Sequence, residues 1–117
     1  MTLRHGRKVP APHATCTLNV VQGRGFIGNN MTLNEYQEKT LDTWGGPQRL
    51  TRAVLSLGEE SGECIGKYQK WIRQDYDASV MLDGMKKELG DLLFYIAVTA
   101  HELNIPLEEI AKLNIEK

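Results

Sequence analysis

Cysteine is scarce in these 117 residues: only Cys16 and Cys64 occur, too few for a disulfide framework. That pattern predicts a reduced, cytoplasmic protein, with Cys64 as a core thiol on an apolar helix face. Long apolar runs are missing too. No stretch approaches the ~18 consecutive apolar residues that span a bilayer, so no membrane partner is expected. Near the start, Arg4, Arg7 and Lys8 lead into Pro10 and Pro12 rather than an apolar segment, which argues against a signal peptide. A basic surplus is also absent, since the formal net charge is −1. Residues 1–30 carry Arg4, Arg7, Lys8 and Arg24 and no acid, so residues 31–117 hold ten Lys/Arg against fifteen Asp/Glu. An acidic domain is a poor partner for nucleic acid but can hold cations. Histidine is sparse: His5, His13 and His101 stand apart from the paired acids described below. A di-iron bundle needs Glu-x-x-His on two helices, and its absence argues against a redox di-iron protein.

What the chain does have is five carboxylates in two short pieces. One is Glu59-Glu60-Ser61-Gly62-Glu63 and the other is Glu88-Leu89-Gly90-Asp91. Each holds two acids three residues apart, a spacing that puts both on one face of an α-helix. The second piece runs straight into Leu92-Leu93-Phe94-Tyr95-Ile96-Ala97-Val98, apolar on every side and therefore predicted to be buried. The acids then stand at the rim of a core. Like charges about 4 Å apart repel by roughly 4 kcal/mol at an effective dielectric near 20. Acids meeting there need a cation. Oxygen donors without thiolate or imidazole select Mg²⁺, Ca²⁺ or Mn²⁺.

The period of the apolar residues predicts four helices after an irregular arm. Residues 1–30 hold Pro10, Pro12, Gly23, Gly25 and Gly28 and show no helical repeat; Thr15–Val21 is at most one short strand. Codons for Ile27-Gly28 can spell a ribosome-binding signal, which makes Met31 a candidate start. Thr32-Leu33-Asn34-Glu35 reads as a capping box opening a helix to about Trp44, stopped by Gly45-Gly46-Pro47. A second helix is predicted over 48–73, with Leu50, Ala53, Val54, Leu57, Cys64, Ile65, Tyr68, Trp71 and Ile72 as its apolar stripe. Gly58, Gly62 and Gly66 line its other side, where either a neighbouring helix or a ligand needs room. A third helix is predicted over 79–103. A fourth begins with Pro106 in its first turn and reaches about Glu116, its early Glu108 and Glu109 suiting the helix dipole. The apolar face of the third helix is wide for two or three short neighbours to cover, so a homodimer or homotetramer that buries the remainder is expected.

The set Glu60-x-x-Glu63, 24 residues, then Glu88-x-x-Asp91 resembles the E-x-x-E…E-x-x-D pattern of the MazG-like, all-α nucleoside triphosphate pyrophosphohydrolases. Similar flanks accompany it: Gly58-Glu59-Glu60-Ser61-Gly62-Glu63, Glu88-Leu89-Gly90-Asp91-Leu92-Leu93-Phe94-Tyr95, Asn114-Ile115-Glu116-Lys117, and Tyr36-Gln37 in the first helix. The likeness covers residues 31–117. It implies an oligomeric four-helix bundle that hydrolyses a nucleoside or deoxynucleoside triphosphate to the monophosphate and pyrophosphate, with Mg²⁺ or Mn²⁺ and with water attacking the α-phosphorus. Glu60, Glu63, Glu88 and Asp91 would be the metal ligands, and Glu60 or Glu59 the base. Asn114 and Lys117 resemble substrate contacts. Lys67 and Lys70 could neutralise departing pyrophosphate or be solvated. Trp44 could stack on a base, although aromatics at helical spacing more often pack. Two alternatives stand beside this. A phosphoribosyl-ATP pyrophosphohydrolase has similar acid motifs. A non-catalytic helical partner module with a degenerate metal site would bind no Mg²⁺ or Mn²⁺ at millimolar concentration.

Overall fold

The computed structural model describes residues 30–117, and the expectations for residues 1–29, including the irregular arm, the Thr15–Val21 strand and Cys16, lie outside them. The unit Met31–Lys117 holds four helices: α1 (Leu33–Thr40), α2 (Arg49–Ile72), α3 (Ala78–Glu102) and α4 (Leu107–Glu116). Among the described residues there is no strand, and the all-α expectation holds.

Helix α1 begins as its sequence requires. The Thr32 hydroxyl accepts from the Glu35 N–H at 3.0 Å, and the Thr32 N–H donates to the Glu35 carboxylate at 2.8 Å. It stops four residues sooner than expected. From Leu41 to Trp44 the backbone N–H groups bond to carbonyls three residues back, so the last turn tightens and unwinds before the glycines. Gly46 then takes φ 88, a left-handed conformation that favours glycine.

Two C-termini share one device. After α2, Asp75 N–H bonds to Lys70 O and Gln74 N–H to Trp71 O, with Gln74 at φ 65. After α3, Ile105 N–H bonds to Ala100 O and Asn104 N–H to His101 O, with Asn104 at φ 59. Both are Schellman closures, made here without glycine. Asp77 caps α3, its carboxylate accepting from Val80 N–H and the Ser79 hydroxyl, and these bonds hold its carboxyl below the usual range.

Pro106 stands one place earlier than predicted, at the N-cap of α4, and provides no side-chain cap. Helix α1 supplies the missing partners. The Gln37 carboxamide oxygen accepts from Leu107 N–H at 3.0 Å, and its nitrogen donates to Ala97 O and Ile105 O. Asn34 accepts from Glu108 N–H and donates to the Glu108 carboxylate. Gln37 is buried, and without its side chain the Leu107 N–H, which has no partner within α4, would face the interior unpaired. Gln37→Leu is expected to cost about 3 kcal/mol in urea unfolding, and a loss under about 1 kcal/mol would contradict this role.

The helices α2 and α3 run antiparallel: Lys67 meets Gly84, while Glu60, a little under two turns earlier on α2, meets Asp91 further along α3. The fully covered core is small, comprising Ala53, Met81, Ala97, Val98, Ala100 and Leu107. The stripe expected on α2 is only partly covered. Ala53 is buried and Leu57, Cys64, Trp71 and Ile72 are half-buried, but Leu50, Val54, Ile65 and Tyr68 are exposed. Of the helices, only α3 packs extensively against α2, and one neighbour cannot cover so wide a stripe. The glycine row Gly58, Gly62 and Gly66 has nothing within 4 Å of where a Cβ would stand, so none of the described helices packs on it.

Candidate metal centre

The antiparallel α2–α3 pair brings the two acidic pieces together. Glu60 from α2 and Glu88 and Asp91 from α3 each offer a carboxylate oxygen, and these oxygens lie within 4.8 Å of one another. Glu60 and Glu88 are half-buried and Asp91 is exposed. The site therefore sits at the rim of the α2–α3 packing, as the apolar run after Asp91 requires.

Three groups respond to the charge collected there. The Glu60 carboxyl is pushed above the usual carboxylate range by partial burial, then by Asp91, Glu88, Glu59 and Glu63. The Cys64 thiol is pushed up by burial, then by Glu88 and Glu60. The Tyr36 phenol is pushed up by burial and then by Asp91. One cation is near: Lys67 Nζ lies 3.8 Å from Glu88 Oε1. Three oxygen donors carrying more negative charge than one ammonium balances form a set suited to a hard divalent cation. Cys64, half-buried beside the acids rather than in the core, contributes no atom to that set.

The other expected site residues fall as follows. Glu59 and Glu63 are exposed on α2 and stay outside the triad, although both act on Glu60 through their charge. Lys70 is exposed and makes no ion pair among the described residues. Asn114 and Lys117 are exposed at the end of α4, with no hydrogen bond or ion pair to the triad. Trp44 is half-buried and meets Phe94 and Tyr95 edge-on at 6.2 Å each. Its indole N–H donates to Glu102 at 3.1 Å, and the Arg52 guanidinium lies 4.7 Å from its ring centre. Arg52 in turn donates to the carbonyls of Gly45 and Pro47, so Trp44 pins the α1–α2 turn onto α3. Tyr36, named in the sequence only as part of a family flank, feels the charge of Asp91 through the packing of α1 on α3, which no local pattern encodes. Gly84, one turn before Glu88, carries no sequence signal of a role.

A family model for the MazG nucleotide pyrophosphohydrolase domain matches residues 48–117. The chain belongs to this family. The matched MazG domain takes in α2, α3 and α4 with all five paired acids, and leaves α1 outside. The chain is also 31% identical over 71 residues to the "Gene 37 protein" of Mycobacterium phage L5, an alignment covering 58% of this chain and 61% of that protein. No solved structure matches it. Among the described residues of the MazG chain, no helix is long and apolar enough to cross a membrane.

Proposed function

We propose that this MazG domain hydrolyses a nucleoside or deoxynucleoside triphosphate to the monophosphate and pyrophosphate, using Mg²⁺ or Mn²⁺ held by Glu60, Glu88 and Asp91. The observation that carries it is the meeting of three carboxylate oxygens from two helices within 4.8 Å in a member of a nucleotide pyrophosphohydrolase family. An acidic rim cannot take up a polyanion directly. When bound, a divalent ion supplies positive charge to phosphate oxygens and lowers the pKa of a water. The chain's own residues do the rest. Glu88 and Asp91, one turn apart on α3, present two donors from a rigid element. Glu60 faces them across the helix pair.

We assign the water's proton to Glu60 rather than Glu59. Glu60 stands inside the triad, within reach of a water held there, whereas Glu59 is exposed and outside it. Glu63 adds negative charge from the exposed flank and is assigned as an outer ligand. Lys67 and Lys70 on α2, with Asn114 and Lys117 on α4, are assigned to the phosphates and sugar. Trp44 is assigned to packing, because its ring and its N–H are already engaged. A second copy, in a homodimer or homotetramer, would cover Leu50, Val54, Ile65 and Tyr68; a monomer in sedimentation equilibrium would contradict that. We assign the protein to the cytoplasm, where nucleoside triphosphates are abundant.

The test is a panel of ordinary and damaged nucleoside triphosphates, with phosphoribosyl-ATP, incubated with Mg²⁺ in ¹⁸O-water. Attack at the α-phosphorus puts the label in the monophosphate and leaves pyrophosphate unlabelled. Label in pyrophosphate, or no turnover of any substrate, would contradict the proposal.

A further inference from the structure

The acid triad has a cation of its own, and the fold makes room for it. Lys67 reaches from α2 across α3, placing Nζ 3.8 Å from Glu88 Oε1. The pair is sheltered, with the Glu88 side chain 14% exposed and the Lys67 side chain 33% exposed. The lysine stem passes close over a glycine. A Cβ at Gly84 would stand 3.0 Å from Lys67 Cδ and 3.4 Å from Cγ. Gly84 and Glu88 lie one turn apart on the same face of α3, so the stem crosses at the first and the ammonium arrives at the second. The other helical glycines, Gly58, Gly62, Gly66 and Gly90, have nothing within 4 Å of such a Cβ. Glycine weakens a helix, and only at Gly84 does its missing side chain admit a neighbour. The Lys67 backbone is fixed as well, its carbonyl accepting from the Tyr76 hydroxyl at 2.7 Å.

We propose that Lys67 is a tethered cation, admitted by the Gly84 notch, which holds Glu88 in the triad before any divalent ion binds and lowers the site's affinity for a bare ion. This rests on the metal-site reading above. It differs from a lysine that only meets phosphate, because it acts with no nucleotide present. Lys67 is a positioning residue: its ammonium steadies one donor and repels an incoming dication.

The test is calorimetric titration of nucleotide-free protein with Mn²⁺. Lys67→Met is expected to tighten Mn²⁺ binding about fivefold, by removing one positive charge from beside a ligand. Lys67→Arg keeps the charge and is expected to stay near the parent. Gly84→Ala pushes the stem aside and is expected to tighten binding in the same direction, without loss of melting temperature. A purely structural role for Lys67 would not give that pattern. Unchanged or weaker Mn²⁺ binding in both Lys67→Met and Gly84→Ala, with the parent binding normally, would overturn the inference and leave the proposed function standing. Failure of the parent itself to bind Mn²⁺ at millimolar concentration would overturn both.

Discussion

Glu60→Gln is expected to slow pyrophosphate release by about 10²–10⁴-fold, the range for loss of a positioned acid or base, while the metal-free protein becomes more stable. Both signs follow from the same geometry. Glu60 has its charged form disfavoured by burial, by Asp91 and Glu88 across the helix pair, and by Glu59 and Glu63 on its own helix. Glutamine keeps the shape and removes the repulsion, so the melting temperature without divalent ion rises. It also removes the proposed ligand and proton acceptor, so turnover is expected to fall. A residue on an ordinary solvated face would show neither effect. Glu59→Gln serves as the internal comparison. It relieves part of the same repulsion but removes nothing from the triad, so its activity is expected to stay within about tenfold of the parent. Rates and melting curves measured on the same preparations check both. Full activity in Glu60→Gln, or loss of activity in Glu59→Gln alone, would overturn the assignment of the base.

Divalent ions are expected to stabilise the protein in a pH-dependent way. An ion at 100 times its dissociation constant adds about 2.7 kcal/mol if it binds only the folded state. The Glu60 proton competes with it. Because the folded-state pKa of Glu60 is raised, its contribution to metal-free stability is complete below the unfolded-state value. That contribution is lost as pH rises through the higher folded-state value. Over the same window, from the ordinary glutamate range upward, the carboxylate becomes available to a cation. The Mg²⁺-induced rise in melting temperature is therefore expected to grow with pH through that window and then level off. Asp91→Asn removes a proposed ligand and a cause of the raised pKa, and is expected to flatten the dependence and abolish most of the rise. Chelation of divalent ions should stop turnover, and Mg²⁺ should restore it. An equal thermal shift at every pH would argue that Glu60 does not face the ion.

Much of this was legible in the residues, and the gaps have physical causes. The capping box at Thr32 and the pairing of acids at one-turn spacing are local patterns, and local geometry obeyed them. The rim position of Glu88 and Asp91 was also readable, from the apolar run that follows. Helix–helix register was not. The register of α2 against α3 brings Glu60, not Glu63, into the triad, and the sequence spacing treats both alike. Long-range satisfaction of backbone groups was equally hidden. Nothing near Pro106 announces that Gln37 and Asn34, some seventy residues earlier, cap α4. The period of the α2 stripe shows that it is apolar but not that much of it is exposed, because among the described helices only α3 packs extensively against it. Gly84 shows the same limit. Its use depends on a lysine from another helix.

The most direct measurement is Mn²⁺ binding to nucleotide-free protein, followed by loss of the free-ion electron paramagnetic resonance signal in the parent and in Glu88→Gln. The parent is expected to take up Mn²⁺ at or below millimolar concentration, and Glu88→Gln to bind at least about tenfold more weakly, with helical circular dichroism unchanged in both. Equal binding in the two proteins, or none in the parent, would contradict the claim that Glu60, Glu88 and Asp91 converge to hold a divalent ion.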